Sequence, residues 1–424
     1  MNKPLEKYLR KNPVSHELEP IISGRLFRRA IVIPAYAEAE YLPATLAGIA
    51  LHPPEMLFDT LVLAVVNNPP DAEAEKINDN QELLSYLRTD SFGFQKKMNL
   101  FLIDASSKGL ELSSGGGVGS ARKLGMDIAL RYLDMEENPL LFCLDADTLV
   151  SADYIAAALK SFNAEKNAPG GIFSFEHQPG ASDAENSAII DYELFMRYYL
   201  AGLRFAGSPY AYHALGSAMV CTAEAYIKAG GMREKNGGED FYFLQALRKL
   251  GPLIQISGAC VFPSSRPSNR VSFGTGPKIR EILDGKKIKL YNPLIFNLMK
   301  QTLQLVSETG LDEFPFLYSI FEKSLLSDFT KFLNSLNFRE DWKKICRNTP
   351  RDLKKLHDAF NTWFDAFRTL KFIHFCERAE PEKYPALEII PAFRELFRSN
   401  GVNLDEEHLS QKTLLLNWMR KNDF

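Results

Sequence analysis

From Arg28 onward, short apolar runs alternate with longer amphipathic stretches. The runs are Ala30–Pro34, Leu61–Val66, Leu100–Ile103 and Leu140–Leu144. Each has the length of a buried strand, and the intervals between them are long enough for helices. Runs that are apolar throughout, rather than at every second residue, suit a parallel sheet covered on both faces. The pattern therefore predicts a doubly wound α/β domain whose chemistry sits at the C-terminal strand ends. Strand signals fade after about Leu250, and a loop rich in Gly, Pro, Ser and Arg runs from Pro263 to Pro277. Beyond Asn292 the chain reads as helical. Leu353, Leu356, Phe360, Trp363, Phe367 and Leu370 recur at alternating three- and four-residue steps, which predicts one helix face packed on its own domain.

The 424 residues carry 50 Lys+Arg against 53 Asp+Glu, a formal net charge of −3. With 46% hydrophobic and 24% charged residues, the chain is neither disordered, nor collagen-like, nor a disulfide miniprotein. The absence of net positive charge argues against a general grip on nucleic-acid phosphates, so no nucleic-acid partner is expected. No run reaches the roughly 18 apolar residues that a membrane-spanning helix requires, and the polar N-terminus lacks a secretory h-region. Peripheral membrane contact is left open. Cys143, Cys221, Cys260, Cys346 and Cys376 are scattered, with no CxxC pair, as expected of reduced thiols in a cytoplasmic protein.

Four segments carry candidate chemistry. Asp145-Ala146-Asp147 follows the fourth apolar run, where two carboxylates two apart can face one hard cation such as Mg²⁺ or Mn²⁺. Ile33-Pro34-Ala35-Tyr36-Ala37-Glu38 follows the first run and offers a fixed turn, an aromatic face and a carboxylate for a base or ribose. Gly115 to Lys123 opens an amphipathic helix, with glycines that allow close backbone approach and with Arg122 or Lys123 able to meet pyrophosphate. Gly237-Gly238-Glu239-Asp240 opens another helix, where ionised carboxylates are favoured.

In this order and spacing, with 113 residues from Pro34 to Asp147 and 93 from Asp147 to Asp240, these motifs resemble glycosyltransferase family 2, whose fold is the nucleotide-sugar-binding GT-A type. The PxYxE opening (Pro34, Tyr36, Glu38), the GxxxAR stretch (Gly117, Ala121, Arg122), the DAD motif and the Glu239-Asp240 pair carry the resemblance, which spans about residues 28–265. Leu215-Gly216-Ser217-Ala218-Met219 resembles the family's strand lining the acceptor. Two features depart from the family. The aspartate that often follows the second strand is replaced by Asn67-Asn68, which leaves the base open, and the QxxRW signature of processive members is missing.

The resemblance implies a lead-in over 1–27, a GT-A domain over 28–280 and an all-α domain over 281–424. It implies a metal-dependent, inverting transfer from a nucleotide-diphosphate sugar. Asp147 would ligate Mn²⁺ or Mg²⁺, with Asp145 on the ribose or in the metal's shell. Pro34, Ala35, Tyr36, Glu38, Asn67, Gly117, Arg122 and Ala146 would line the donor. Asp240, or else Glu239, would act as base. Arg266 and Arg270, four apart in the Ser/Gly-rich loop, are read as closing over the diphosphate, as binding an anionic acceptor, or as solvated surface groups. His213 and Gly216 are further candidates near the donor or acceptor. A nucleotidyltransferase is the nearest rival in fold, but its glycine-rich loop belongs after the first strand. A Rossmann oxidoreductase lacks the third glycine here, and a sugar-nucleotide-binding protein without catalysis is the rival from another class.

Overall fold

A computed structural model of the chain describes residues 3–113, 115, 117–234, 237–268 and 274–424. It divides into two compact units, one of residues 1–189 with 214–284 and one of 190–213 with 285–424.

The first unit is built on an eight-stranded sheet: β1 Arg29–Ala35, β2 Thr60–Asn67, β3 Asn99–Ala105, β4 Leu140–Cys143, β5 Leu149–Val150, β6 Gly170–Phe175, β7 Met219–Thr222 and β8 Ile254–Phe262, in the order β3-β2-β1-β4-β7-β6-β8-β5. The apolar runs became β1 to β4, which pair in parallel; β7 joins β4 antiparallel. Every residue of β1, β2 and β4 is buried, the state that continuous apolar runs imply. The helices are α1 Lys3–Lys11, α2 Leu42–Ile49, α3 Pro54–Phe58, α4 Ala74–Arg88, α5 Gly117–Ala129, α6 Tyr154–Ala164, the first residues of α7 Asp183–Phe205, α8 Ala223–Ala229, α9 Glu239–Arg248 and α10 Thr275–Leu283. Helix α5 lies close on the sheet because Gly125 has no Cβ; one there would come within 2.4 Å of Val32 and 2.8 Å of Val65.

Pro34 ends a ladder usefully. The Val32 carbonyl accepts from Leu144 N at 3.1 Å, so Val32 faces β4. Backbone groups alternate along a strand, so Pro34 turns its missing N–H to the same side. The β1–β4 ladder cannot extend past Leu144, and the chain leaves the sheet into the Asp145–Asp147 turn.

The structure corrects three expectations. The strand β8 exists beyond Leu250. Ser257 and Gly258 are both exposed, Gly258 has φ +86°, and the register with β6 jumps from Ile256 to Cys260. This bulge breaks the alternation by which a strand is recognised. The first 27 residues are more than a lead-in: Tyr8 on α1 is buried and donates to Asp127 on α5 at 2.8 Å, and Glu19 bridges to Leu102 on β3. The stripe from Leu353 to Leu370 is not one helix.

The helical unit holds residues 190–205 of α7, then α11 Pro293–Glu308, α12 Leu317–Lys323, α13 Ser327–Ser335, α14 Phe338–Asn348, α15 Leu353–Trp363, α16 Ala366–Ala379, α17 Ile389–Ser399 and α18 Lys412–Lys421. The stripe breaks between α15 and α16, where the Asp365 carboxylate accepts from Arg368 N at 3.1 Å and caps the new helix. Leu356, Phe360 and Trp363 still reach the core, packed among Phe321, Phe338 and Trp342, while Leu353 stays exposed. Residues 190–213 join this unit because Leu194, Tyr198, Ala201 and Leu203 bury themselves in that aromatic core. Among the described residues no helix is long and apolar enough to cross a membrane, and all five cysteines are free thiols.

Candidate functional site

The C-terminal ends of β1, β2 and β4 release the segments that contain Glu38, Asn67 and Asp145. Around them the first unit assembles five carboxylates, those of Glu38, Asp145, Asp147, Glu239 and Asp240, and two guanidiniums, those of Arg122 and Arg266.

Arg122 sits on α5 and is 3% exposed. Its Nη2 donates to Asp145 and its Nη1 to Glu239, so it ties the turn after β4 to the first residue of α9. Burial alone would lower its pKa, but the charges of Asp145 and Glu239 outweigh burial and raise it. The guanidinium passes directly over Gly216, where a Cβ would lie 2.3 Å from Nη2. Gly216 is therefore required by Arg122, a packing duty that the sequence did not suggest. It opens the short 3₁₀ turn Gly216–Ala218 that leads into β7.

The second guanidinium is on the loop after β8. Arg266 Nη2 lies 2.7 and 2.5 Å from the two oxygens of Glu38 and 3.0 Å from Asp147 Oδ2, and its Nε is 3.1 Å from the same Asp147 oxygen. The plane of the group lies over the Tyr41 ring, 3.8 Å from its centroid. Glu38 is buried, and Asp147 is 17% exposed at its side chain.

Asp240 is partly buried beside Glu239 at the start of α9, and its Oδ1 accepts its neighbour Phe241 N at 2.7 Å. Burial first, and then the charge of Glu239, push its carboxyl up to about 7 against the opposing pull of Arg122. A carboxyl raised toward neutrality is what proton transfer requires.

The loop after β1 is held in an unusual conformation. Ala37 has φ +53° without being glycine, and its N–H donates to Asn80 Oδ1 at 2.9 Å. Asn80, on α4 and 0% exposed, also donates to the Asn67 carbonyl at 3.0 Å and to Asn68 Oδ1 at 2.9 Å. One amide thus fixes the ends of β1 and β2 together. Gln178 does the same for Asp147, donating from Nε2 to the Asp147 carbonyl at 2.9 Å and to the Phe262 carbonyl at 2.6 Å. Thr45 donates to the Ala146 carbonyl at 2.8 Å. Sequence reasoning missed Asn80, Gln178, Thr45 and Tyr41, since single residues of these types carry no pattern. Asn67 Oδ1 is buried and has no hydrogen-bond partner among the described residues.

The expected residues are otherwise placed as follows. Pro34 and Ala35 close β1, Tyr36 follows with Lys76 Nζ 5.8 Å from its ring, and Gly117 opens α5. His213 is not in this cluster. It belongs to the helical unit, where burial and then the charges of Arg197 and Arg204 push it down to about 3. Arg270 and Gly116 lie outside the described residues.

The site's chemistry suits a divalent cation in part. Arg266 Nη2 is a stand-in cation with oxygens of Glu38 and Asp147 at 2.5 to 3.0 Å, and carboxylate oxygen is the ligand that Mg²⁺ and Mn²⁺ take. Asp145 is committed to Arg122 instead. Among the described residues no group of three His, Cys, Asp or Glu side chains is arranged to hold a metal. One or two carboxylates suffice for Mg²⁺ when phosphates of a ligand complete its shell.

Fold and site together define an α/β protein with a cluster of carboxylates braced by two guanidiniums at its parallel strand ends. No protein-family model and no curated protein sequence matches the chain. Among solved structures it is similar to Staphylococcus aureus TarS residues 1–349 in complex with UDP-GlcNAc, at 11% identity and a TM-score of 0.38, over 81% of this chain and 92% of that one. It is also similar to the mannosyltransferase PcManGT from Pyrobaculum calidifontis in complex with GDP-Man and Mn²⁺, at 14% identity and a TM-score of 0.37, over 99% of this chain and 94% of that one. Likenesses this loose assign neither residues nor activity to this chain.

Proposed function

We propose that the chain is a glycosyltransferase of the GT-A type that moves a sugar from a nucleotide-diphosphate donor to an acceptor hydroxyl with inversion. The observation that carries this reading is the convergence of Asp145, Glu239 and Asp240, three carboxylates from two distant segments, around the buried guanidinium of Arg122 at the strand ends. Asn67 Oδ1 accepts from the base, Tyr36 offers a face to it, and the N-terminus of α5 at Gly117 faces the diphosphate. A divalent ion, when bound at Asp147, neutralises the departing diphosphate.

Asp240 does the proton work. Its carboxylate takes the proton of the acceptor hydroxyl as the acceptor oxygen bonds to the anomeric carbon. The bond from that carbon to the diphosphate oxygen breaks, and its electron pair leaves with the nucleotide. Glu239, held by Arg122, stands beside Asp240, and after burial it is the neighbour that raises that carboxyl. Attack from the side opposite the leaving group inverts the anomeric carbon. Arg122 holds the base-bearing helix and the Asp145 turn in one arrangement rather than meeting the diphosphate itself.

The test is a thermal-shift screen of UDP-, GDP- and dTDP-sugars with and without Mn²⁺, on wild type and Asp147→Ala. A ligand at 100 times its Kd raises stability by about 2.7 kcal/mol, which such a screen resolves. A shift from one nucleotide that is lost in Asp147→Ala is the expected result. No shift from any of them contradicts the reading.

A further inference from the structure

Glu38 was expected at the donor nucleotide and Asp147 at a metal beside Asp145, yet the structure pairs them differently. Asp145 turns to Arg122, while Glu38 and Asp147 converge on one nitrogen of Arg266. Both Glu38 oxygens and one Asp147 oxygen lie within 3.0 Å of that Nη2. Three carboxylate oxygens around a single point form the inner half of a hard-cation site, and the guanidinium fills it. Asp147 keeps partial exposure through which an ion can arrive. Arg266 comes from a loop rather than from the sheet, and it rests on Tyr41, so a surface is ready for its side chain without the two carboxylates.

We propose that Glu38 and Asp147 form the protein's divalent-cation pair and that Arg266 is its resident counter-ion, so that the metal ion and the guanidinium are alternative occupants. In the metal-free protein Arg266 bridges both carboxylates and holds the loop after β8 to the loop after β1. Cation binding at Asp147 releases that guanidinium and with it the link between the two loops. Metal loading and loop position are thereby one equilibrium. This inference deepens the proposed reading of the site, but its test uses neither nucleotide nor turnover.

The test is titration of Mn²⁺ into the full chain without nucleotide, following the electron-paramagnetic-resonance signal of free Mn²⁺. Removing the competing cation in Arg266→Gln tightens Mn²⁺ binding by about tenfold or more, the factor to which about 1.4 kcal/mol corresponds. The double variants R266Q/E38Q and R266Q/D147N lose that gain. Mn²⁺ also raises the melting temperature of R266Q more than that of wild type, which shows that the variant is folded. Equal or weaker Mn²⁺ binding by folded R266Q overturns the proposal, as does a gain that survives in R266Q/D147N. Either failure leaves the nucleotide thermal-shift result, and the reading that rests on it, untouched.

Discussion

Asp328 in the helical unit and Asp240 in the sheet unit are both carboxylates withdrawn from water, and their protons behave in opposite ways. Asp328 is 3% exposed, but Lys331 at 3.1 Å, Lys383 at 2.6 Å and the Tyr384 hydroxyl at 2.8 Å surround it. Burial would raise its pKa; these donors outweigh burial and bring it down to about 2. Asp240 has Glu239 for a neighbour and is pushed up to about 7. The same contrast holds for whole clusters. In the helical unit Glu193, 0% exposed, accepts from Arg197 at 2.9 Å and from both Arg420 donors at 2.8 Å, so its charge is met twice over. In the sheet unit Arg122 and Arg266 each hold two carboxylates. Asp328 is met by cations while Asp240 has a second carboxylate beside it, and a carboxyl raised in this way is a candidate for proton transfer.

The comparison breaks if the two kinds of cluster respond alike to losing a charge. Glu193→Ala removes the buried carboxylate that Arg197 and Arg420 share, and unfolding by denaturant is expected to show a loss of about 3–5 kcal/mol. Asp147→Asn removes one carboxylate from a partly exposed contact that Arg266 also makes with Glu38, so the loss stays within about 1 kcal/mol. Comparable losses for both would mean that the two clusters do not differ in this way.

Stability against pH sharpens the same contrast with a smaller effect. Asp328 binds its proton more weakly when folded, so its contribution is present above the ordinary carboxylate value of 3.8 and fades as pH falls through about 2. Asp240 binds its proton more tightly when folded, so its cost grows as pH rises from about 4 to about 7. Asp240→Asn is therefore expected to stabilise the protein at pH 8 and to make no difference near pH 3. Melting temperatures of both proteins across pH 3 to 8 check the sign.

The parts of this picture that sequence reveals are those written in neighbouring residues. The first four strands announce themselves because each is apolar for its whole length, and Asp145-Ala146-Asp147 stands out because it follows one of them directly. The strand β8 stayed hidden because the bulge at Ser257–Gly258 puts two exposed residues in succession. The break at Asp365 was legible in principle, since an aspartate inside an apolar stripe is a helix cap in waiting. The ties that make the cluster a site were not legible. Arg122 meets Glu239 across 117 positions and Arg266 meets Glu38 across 228, and only the folded sheet brings these segments together. Asn80 and Gln178 brace the loops as single amides, which leave no trace in spacing or composition.

The central claim is that Asp240 is the base of a sugar-transfer site, and hydrolysis of the donor tests it most directly. Wild type and Asp240→Asn are incubated with each nucleotide sugar, water takes the place of the acceptor, and released nucleoside diphosphate is measured from pH 5 to 9. One donor is expected to turn over, with a wild-type rate that rises with pH and levels above about 7 as Asp240 loses its proton. Asp240→Asn lowers that rate by about 10²–10⁴ and removes its rise with pH. A variant as fast as wild type, with the same pH profile, would contradict the claim.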